Sequence, residues 1–200
     1  MLYIPNNLER KDRQSTGGGV ACYIKQGLQY KRRLDLENET LECMWIELKH
    51  AGHAAYLIGV FYRKPSSSVN IFSELEAQLE SVCSISNKVI IMGDFNCNML
   101  TQNHLSIKLE ELSTLCQLSQ VIDCPTRITP HSSTLIDLVF VSNSLGELLS
   151  GVHPVGLSDH SLVYVILKSI VPKFTSKTCT FRFFRNFNEE GYLTDLRNCD

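Results

Sequence analysis

Apolar residues arrive along this chain in short runs and alternations that predict a series of strands broken by two helices. Val20 to Ile24, Cys43 to Lys49, Ala55 to Tyr62, Val89 to Met92, Leu135 to Val141 and Ser161 to Lys168 read as strands. Val121-Ile122-Asp123 adds a short one, and Ala51-Gly52-His53 reads as the turn of an antiparallel hairpin. Helical spacing takes over twice. Ile71, Leu75, Leu79 and Val82 share one face behind Asn70, a residue suited to an N-cap. Leu105, Leu109, Leu112 and Cys116 share a face of a second helix over about 106–118. The first sixteen residues form a polar lead-in, and Gly17-Gly18-Gly19 reads as a flexible hairpin turn. A phosphate-cradling loop is the other reading of the glycines, but no Gly-Lys-Ser/Thr follows and the next element is a strand. Strands interrupted by two helices predict an α+β or layered α/β sandwich.

Residues 1–168 read as one domain, and 169–200 as a basic linker. No acidic residue occurs from Ser161 to Asn188, whereas Lys168, Lys173, Lys177, Arg182 and Arg185 are all basic; Asn188 to Arg197 starts a further helix. The 200 residues carry a formal charge of −2, so nucleic-acid contact has to come from a local basic face. The 8 cysteines are scattered without a C-x-x-C pair, several within apolar patterns. That usage and the lack of a signal peptide predict a reducing intracellular setting, nuclear or cytoplasmic. No apolar run is long enough to span a bilayer.

Chemistry concentrates at strand tips. Val89-Ile90-Ile91-Met92 ends on Gly93 and then presents Asp94, Phe95 and Asn96. An Asp there can take a proton from water while Asn holds a phosphoryl oxygen or the water shell of a metal. Asp137 stands inside an apolar strand, where an unpaired carboxylate is costly. It either faces solvent or pairs with His160, fixing the imidazole tautomer. Asp159 reads as a metal ligand or a turn residue, and Tyr62 as a phosphate contact or simple packing. Arg63 closes the same strand as Tyr62, and Arg127 lies in a loop as a phosphate contact or a solvated arginine. His50 and His53 flank a turn with no carboxylate nearby to complete a metal set, and His104, His131 and His153 sit in polar, loop-like context, where solvated histidines are the default. An oxygen-rich set with one His favours Mg2+ or Mn2+ over zinc.

The order Tyr62-Arg63, Gly93-Asp94-Phe95-Asn96, Ile136 to Val141, Ser158-Asp159-His160 resembles the endonuclease/exonuclease/phosphatase superfamily. More narrowly it is similar to the apurinic/apyrimidinic-type endonuclease domain of non-LTR retrotransposon polyproteins. Gly17 to Ala21, Pro125-Thr126-Arg127, Ser133 to Asp137 and Phe184 to Asn188 share that resemblance. It implies a four-layer α/β/β/α sandwich that hydrolyses DNA phosphodiesters with Mg2+ or Mn2+, and a reverse transcriptase further along the polyprotein. It implies that Asp94 orients or deprotonates the water, Asn96 positions substrate and metal water, and Tyr62 touches the scissile phosphate. Asp159 then serves the metal, and His160 with Asp137 stabilises developing charge. Arg63 and Arg127 stand ready for substrate phosphate. Such domains also carry an Asn strand and a metal-binding Glu ahead of the glycine-rich turn, for which Glu9 and Asp12 are no match. The expectation is a domain lacking its first strand or strands, with impaired nicking. A phosphatase of the same superfamily and a non-catalytic nucleic-acid-binding remnant are the competing readings.

Overall fold

The computed structural model describes residues 6–13, 17–49, 54–168 and 187–199. The turn expected at Ala51-Gly52-His53 and most of the expected basic linker lie outside them. The strands are β1 (Asn6–Lys11), β2 (Val20–Lys25), β3 (Gln29–Arg32), β4 (Glu42–Lys49), β5 (Tyr56–Tyr62), β6 (Val89–Asp94), β7 (Leu118–Gln120), β8 (Arg127–Thr129), β9 (Ser132–Thr134), β10 (Asp137–Ser142), β11 (Leu148–His153) and β12 (Leu162–Leu167). The helices are α1 (Ile71–Ile85), α2 (His104–Leu115) and α3 (Glu189–Arg197).

A six-stranded mixed sheet in the order β3-β4-β5-β6-β10-β7 forms the frame. Its β5–β6 pair is parallel, because α1 carries the chain back between them, and the other pairs are antiparallel. Period-two alternation divides its apolar residues between two faces. Cys43, Trp45, Leu57, Phe61, Val89, Ile91 and Phe140 join Phe72, Leu75, Leu79 and Val82 of α1 and Leu109 and Leu112 of α2 in the main core. Met44 and Ile46, with Val60 and Tyr62 beside them, pack instead against Val20 and Ile24 of the β1–β2 ribbon. Two further ribbons, β8–β9 and β11–β12, complete an α+β architecture. Val163, Val165 and Leu167 of β12 pack on the main core, leaving Leu162, Tyr164 and Ile166 outward. Among the described residues, no helix is long and apolar enough to cross a membrane.

Several elements differ from the sequence reading. The polar lead-in contains a strand, β1, which pairs with β2 from Asn6↔Lys25 to Lys11↔Val20, so the three glycines do lie in a hairpin connection. All three take positive φ, a conformation open to glycine at little cost. The short strand expected at Val121-Ile122-Asp123 sits three residues earlier, over Leu118–Gln120. The Gln120 amide bonds the N–H and C=O of Ile122, which draws that backbone away from the ladder. Asn70 does not cap α1 with its side chain, since its backbone is already helical at φ −59° and ψ −20°. Asn103 caps α2 instead, accepting from Leu105 N at 2.9 Å and Ser106 N at 3.1 Å, so this helix starts and ends earlier than expected.

Residues 1–170 and 171–200 form separate compact units. In the second, α3 is capped by Asn188, whose Oδ1 accepts from Gly191 N at 3.2 Å, and Phe187 stacks on Tyr192 with centroids 5.4 Å apart.

Candidate active site

Strand register builds the site. Glu42 pairs with Tyr62, Tyr62 with Asp94, and Asp94 with Asp137, forming one row across β4, β5, β6 and β10. Residues in one such row point to the same face of a sheet. This row faces the side covered by the β1–β2 ribbon.

Asp94 reaches the row because Gly93 lets the strand pass very close to β5. A Cβ at Gly93 would lie 1.7 Å from the Phe61 carbonyl oxygen, and its φ of +148° is a glycine conformation. Beyond it Phe95, 1% exposed, plugs into the core between Phe61 and Phe140, with ring centroids at 4.7 and 5.3 Å. That anchor forces the next residue back outward. Asn96 makes the turn in a left-handed conformation at φ +49°, which asparagine tolerates better than most residues. Its backbone N–H donates to Asp94 Oδ1 and its Nδ2 to Asp94 Oδ2, each at 2.9 Å, while the same Nδ2 reaches the Arg63 carbonyl at 2.8 Å. The Asp94 carboxylate is therefore held at both oxygens. Burial pushes its pKa above the ordinary carboxylate range, and the charge of Asp137 adds to this. The Asn96 hydrogen bonds and His160 oppose the rise.

Asp137 and His160 meet directly. His160 Nδ1 lies 2.9 Å from Asp137 Oδ2 and 3.1 Å from Oδ1. A carboxylate only accepts, so Nδ1 carries the proton and Nε2 is the ring atom left for another partner. The His160 side chain is 33% exposed, enough to meet a ligand. Ligand atoms of Asp94, Asp137 and His160 all lie within 4.8 Å of one another. Their carboxylate oxygens suit a hard divalent cation, and the backbone around them is held by built-in hydrogen bonds.

The other expected residues fall into place around this group. Tyr62 stands in the row beside Asp94, with the Arg13 guanidinium 5.8 Å above its ring. Arg127 Nε donates to Asp159 Oδ2 at 2.7 Å, which holds the Asp159 carboxyl below its usual range. Asp159 thus sits with Arg127, outside the three-residue group. Arg63 points away from any surface phosphate: it is 2% exposed, donates to the carbonyls of Asn96 at 3.3 Å and Ser67 at 3.2 Å, and lies 5.5 Å from the Phe72 ring centroid. Its work is to brace the Asp94–Asn96 turn from inside.

Three residues of the site were given no role from sequence, although Thr126 stands in the Pro125-Thr126-Arg127 segment. Thr126 is fully buried, and its Oγ1 accepts from the backbone N–H of Asp137 at 3.0 Å and of Ile136 at 3.2 Å. Its carbonyl takes the Ser161 N–H at 2.7 Å, so one threonine ties together the chains carrying Asp137 and His160. Arg13 and Glu42 form an ion pair at the other end of the row, with the Gly19 N–H also on Glu42. A threonine in a loop and a charge pair between distant strands have no local sequence signal. Only the register reveals them.

A mixed-sheet α+β fold thus carries an Asp–His pair and a second carboxylate close together, at the ends of neighbouring strands and the segment leading into β12. A family model described as endonuclease-reverse transcriptase matches residues 56–164, over half of the chain, and the chain belongs to that family, within the endonuclease/exonuclease/phosphatase superfamily. No curated protein sequence matches it. Among solved structures it is similar to the endonuclease domain of TRAS1, a telomere-specific non-LTR retrotransposon, with a TM-score of 0.69 at 14% identity over 81% of this chain and 78% of that one. It is similar to the 3′-5′ exonuclease NExo of Neisseria meningitidis, at TM-score 0.60, 15% identity and coverage of 82% and 80%. It is similar too to the catalytic domain of Xenopus laevis APE2, at TM-score 0.58, 15% identity and coverage of 82% and 76%. At these identities the likeness describes a shared fold.

Proposed function

We propose that this chain cleaves DNA phosphodiesters with Mg2+ or Mn2+, as a nicking endonuclease of the retrotransposon type. The observation that carries the reading is the convergence of Asp94, Asp137 and His160 within 4.8 Å, with Tyr62 beside Asp94 in the strand row. Asp94 accepts a proton from the attacking water, and its raised pKa makes it a better base than an ordinary exposed aspartate. Asn96 fixes that carboxylate at both oxygens and keeps it aimed. His160, oriented by Asp137, offers Nε2 to a non-bridging phosphate oxygen, and its charged form stabilises the developing negative charge. The Tyr62 hydroxyl supports the same phosphate from the neighbouring strand. The Asp94 and Asp137 carboxylates are the groups to hold a divalent cation, with Asp159 at its side, while His160 stays with the phosphate. Such a cation, when bound, supplies charge neutralisation at the phosphate and leaving oxygen.

Two carboxylates are few donors for Mg2+, which takes six ligands and sheds water reluctantly. Weak cation binding and slow turnover belong to the proposal, as does a reverse-transcriptase domain in the parent polyprotein. Incubation with supercoiled plasmid and, separately, with phosphomonoesters tests it. Single-strand nicks without phosphate release support the endonuclease. Phosphate release without nicks makes it a phosphatase, and metal-independent DNA binding with neither product makes it a non-catalytic binder.

A further inference from the structure

We infer that Arg127 is a resident counter-cation of this acidic site: it competes with a divalent metal ion for Asp159 and moves to a DNA phosphate once the carboxylates are neutralised. The inference rests on the metal-dependent reading above and adds a residue that sets its cation affinity. The pairing is built into the backbone. Residue 127 forms a β-bridge with residue 160. Ile128 N donates to the Asp159 carbonyl at 2.9 Å, and Ser161 N to the Thr126 carbonyl at 2.7 Å. The strand carrying Arg127 is therefore laid along the segment carrying Asp159 and His160, and Thr126 fixes the same strand to Asp137.

From there the guanidinium bonds Asp159 at 2.7 Å and also lies in the field of Asp94 and Asp137, all of which favour its charge. One carboxylate is bonded to the arginine, and two more act on it through their charge. The pair is open to water, with side chains 43% and 41% exposed, and exposed ion pairs are weak enough to exchange readily. A divalent cation drawn to Asp94 and Asp137 repels the guanidinium and competes for its carboxylate. A planar guanidinium released beside a phosphodiester matches the phosphate with two parallel hydrogen bonds, which a solvated surface arginine would have no reason to be placed for. Metal and Arg127 are then antagonists for one carboxylate, and DNA and metal are partners.

Mn2+ titration of the full chain, followed by calorimetry, tests this with no reliance on turnover. Arg127→Ala should bind Mn2+ about five- to tenfold more tightly than wild type, and Arg127→Lys should fall between them. Asp159→Asn should free the guanidinium, raising affinity for a short DNA duplex in EDTA severalfold. Arg127→Ala should lower the slope of log affinity against log salt by about 1. Unchanged or weaker Mn2+ binding by Arg127→Ala, with wild type binding measurably, overturns the counter-cation role alone. No Mn2+ binding by either protein overturns the metal-site reading and this inference together. Unchanged DNA affinity in Asp159→Asn overturns the release to phosphate.

Discussion

Asp137 and His160, on β10 and just before β12, are joined by a hydrogen bond from Nδ1 to Oδ2 at 2.9 Å. The ring cannot turn without breaking that bond, so the two residues act as one device. Replacing either by alanine should lower the nicking rate about 10²-fold or more. The double variant should be no slower than the worse single one, because residues acting as a unit are non-additive. Single-turnover rates on a nicked-circle assay give the comparison. Losses that multiply would show that the two act separately.

Asp94 sets the acid limit. Its carboxyl is held above the ordinary range by burial, so as pH falls the activity and Mn2+ binding that need it ionised should fade at a higher pH than an exposed aspartate would set. The same shift affects folding. A folded-state pKa above the unfolded value favours the fold when protonated, so this contribution is complete below the unfolded pKa and is lost as pH rises through the folded one. Carboxyl NMR should place the Asp94 midpoint above that of an exposed aspartate, and Asp137→Asn should move it down. A midpoint in the ordinary range would contradict the burial argument.

Gly93 has no tolerable substitute. A Cβ there meets the Phe61 carbonyl at 1.7 Å, and both partners are backbone of paired strands. Gly93→Ala should cost about 3 kcal/mol or more in urea unfolding. Gly156, at φ +66° with open space around it, serves as the contrast: alanine there should cost only about 1 kcal/mol, from backbone strain alone. Equal midpoints for the two variants would remove the close approach from the account.

Thr126 should be a residue of stability as much as of catalysis. Thr126→Val keeps the shape but leaves the Ile136 and Asp137 N–H groups without their acceptor, at about 2 kcal/mol. Thr126→Ser should restore most of the loss in melting temperature. Valine and serine variants that melt alike would mean that the hydroxyl carries nothing.

What could be read from the chain beforehand follows physical lines. Asp94 and Asp137 stood out because a carboxylate at the end of or inside an apolar strand demands a reason, and His160 supplied one. β1 did not stand out, since Asn6–Lys11 is a polar ribbon with little buried surface, and β3 is short and half-exposed for the same reason. Arg63 was expected beside phosphate because it follows Tyr62 at a strand end. The carbonyls of Asn96, at the turn after the Phe95 plug, and of Ser67 instead accept from its guanidinium and hold it in the core. The row from Glu42 through Tyr62 and Asp94 to Asp137 depends on pairing between distant strands, and no local pattern carries that information.

The central claim is that Asp94, Asp137 and His160 form one metal-dependent phosphodiester-cleaving centre. Its most direct measurement is the rate of supercoiled-plasmid nicking in excess Mn2+, for wild type and Asp94→Ala, with and without chelator. The account predicts slow nicking by wild type that stops with chelation and falls about 10²-fold or more in Asp94→Ala. Nicking that survives both changes, or a wild-type chain that binds DNA in excess Mn2+ without ever cutting it, would contradict the account.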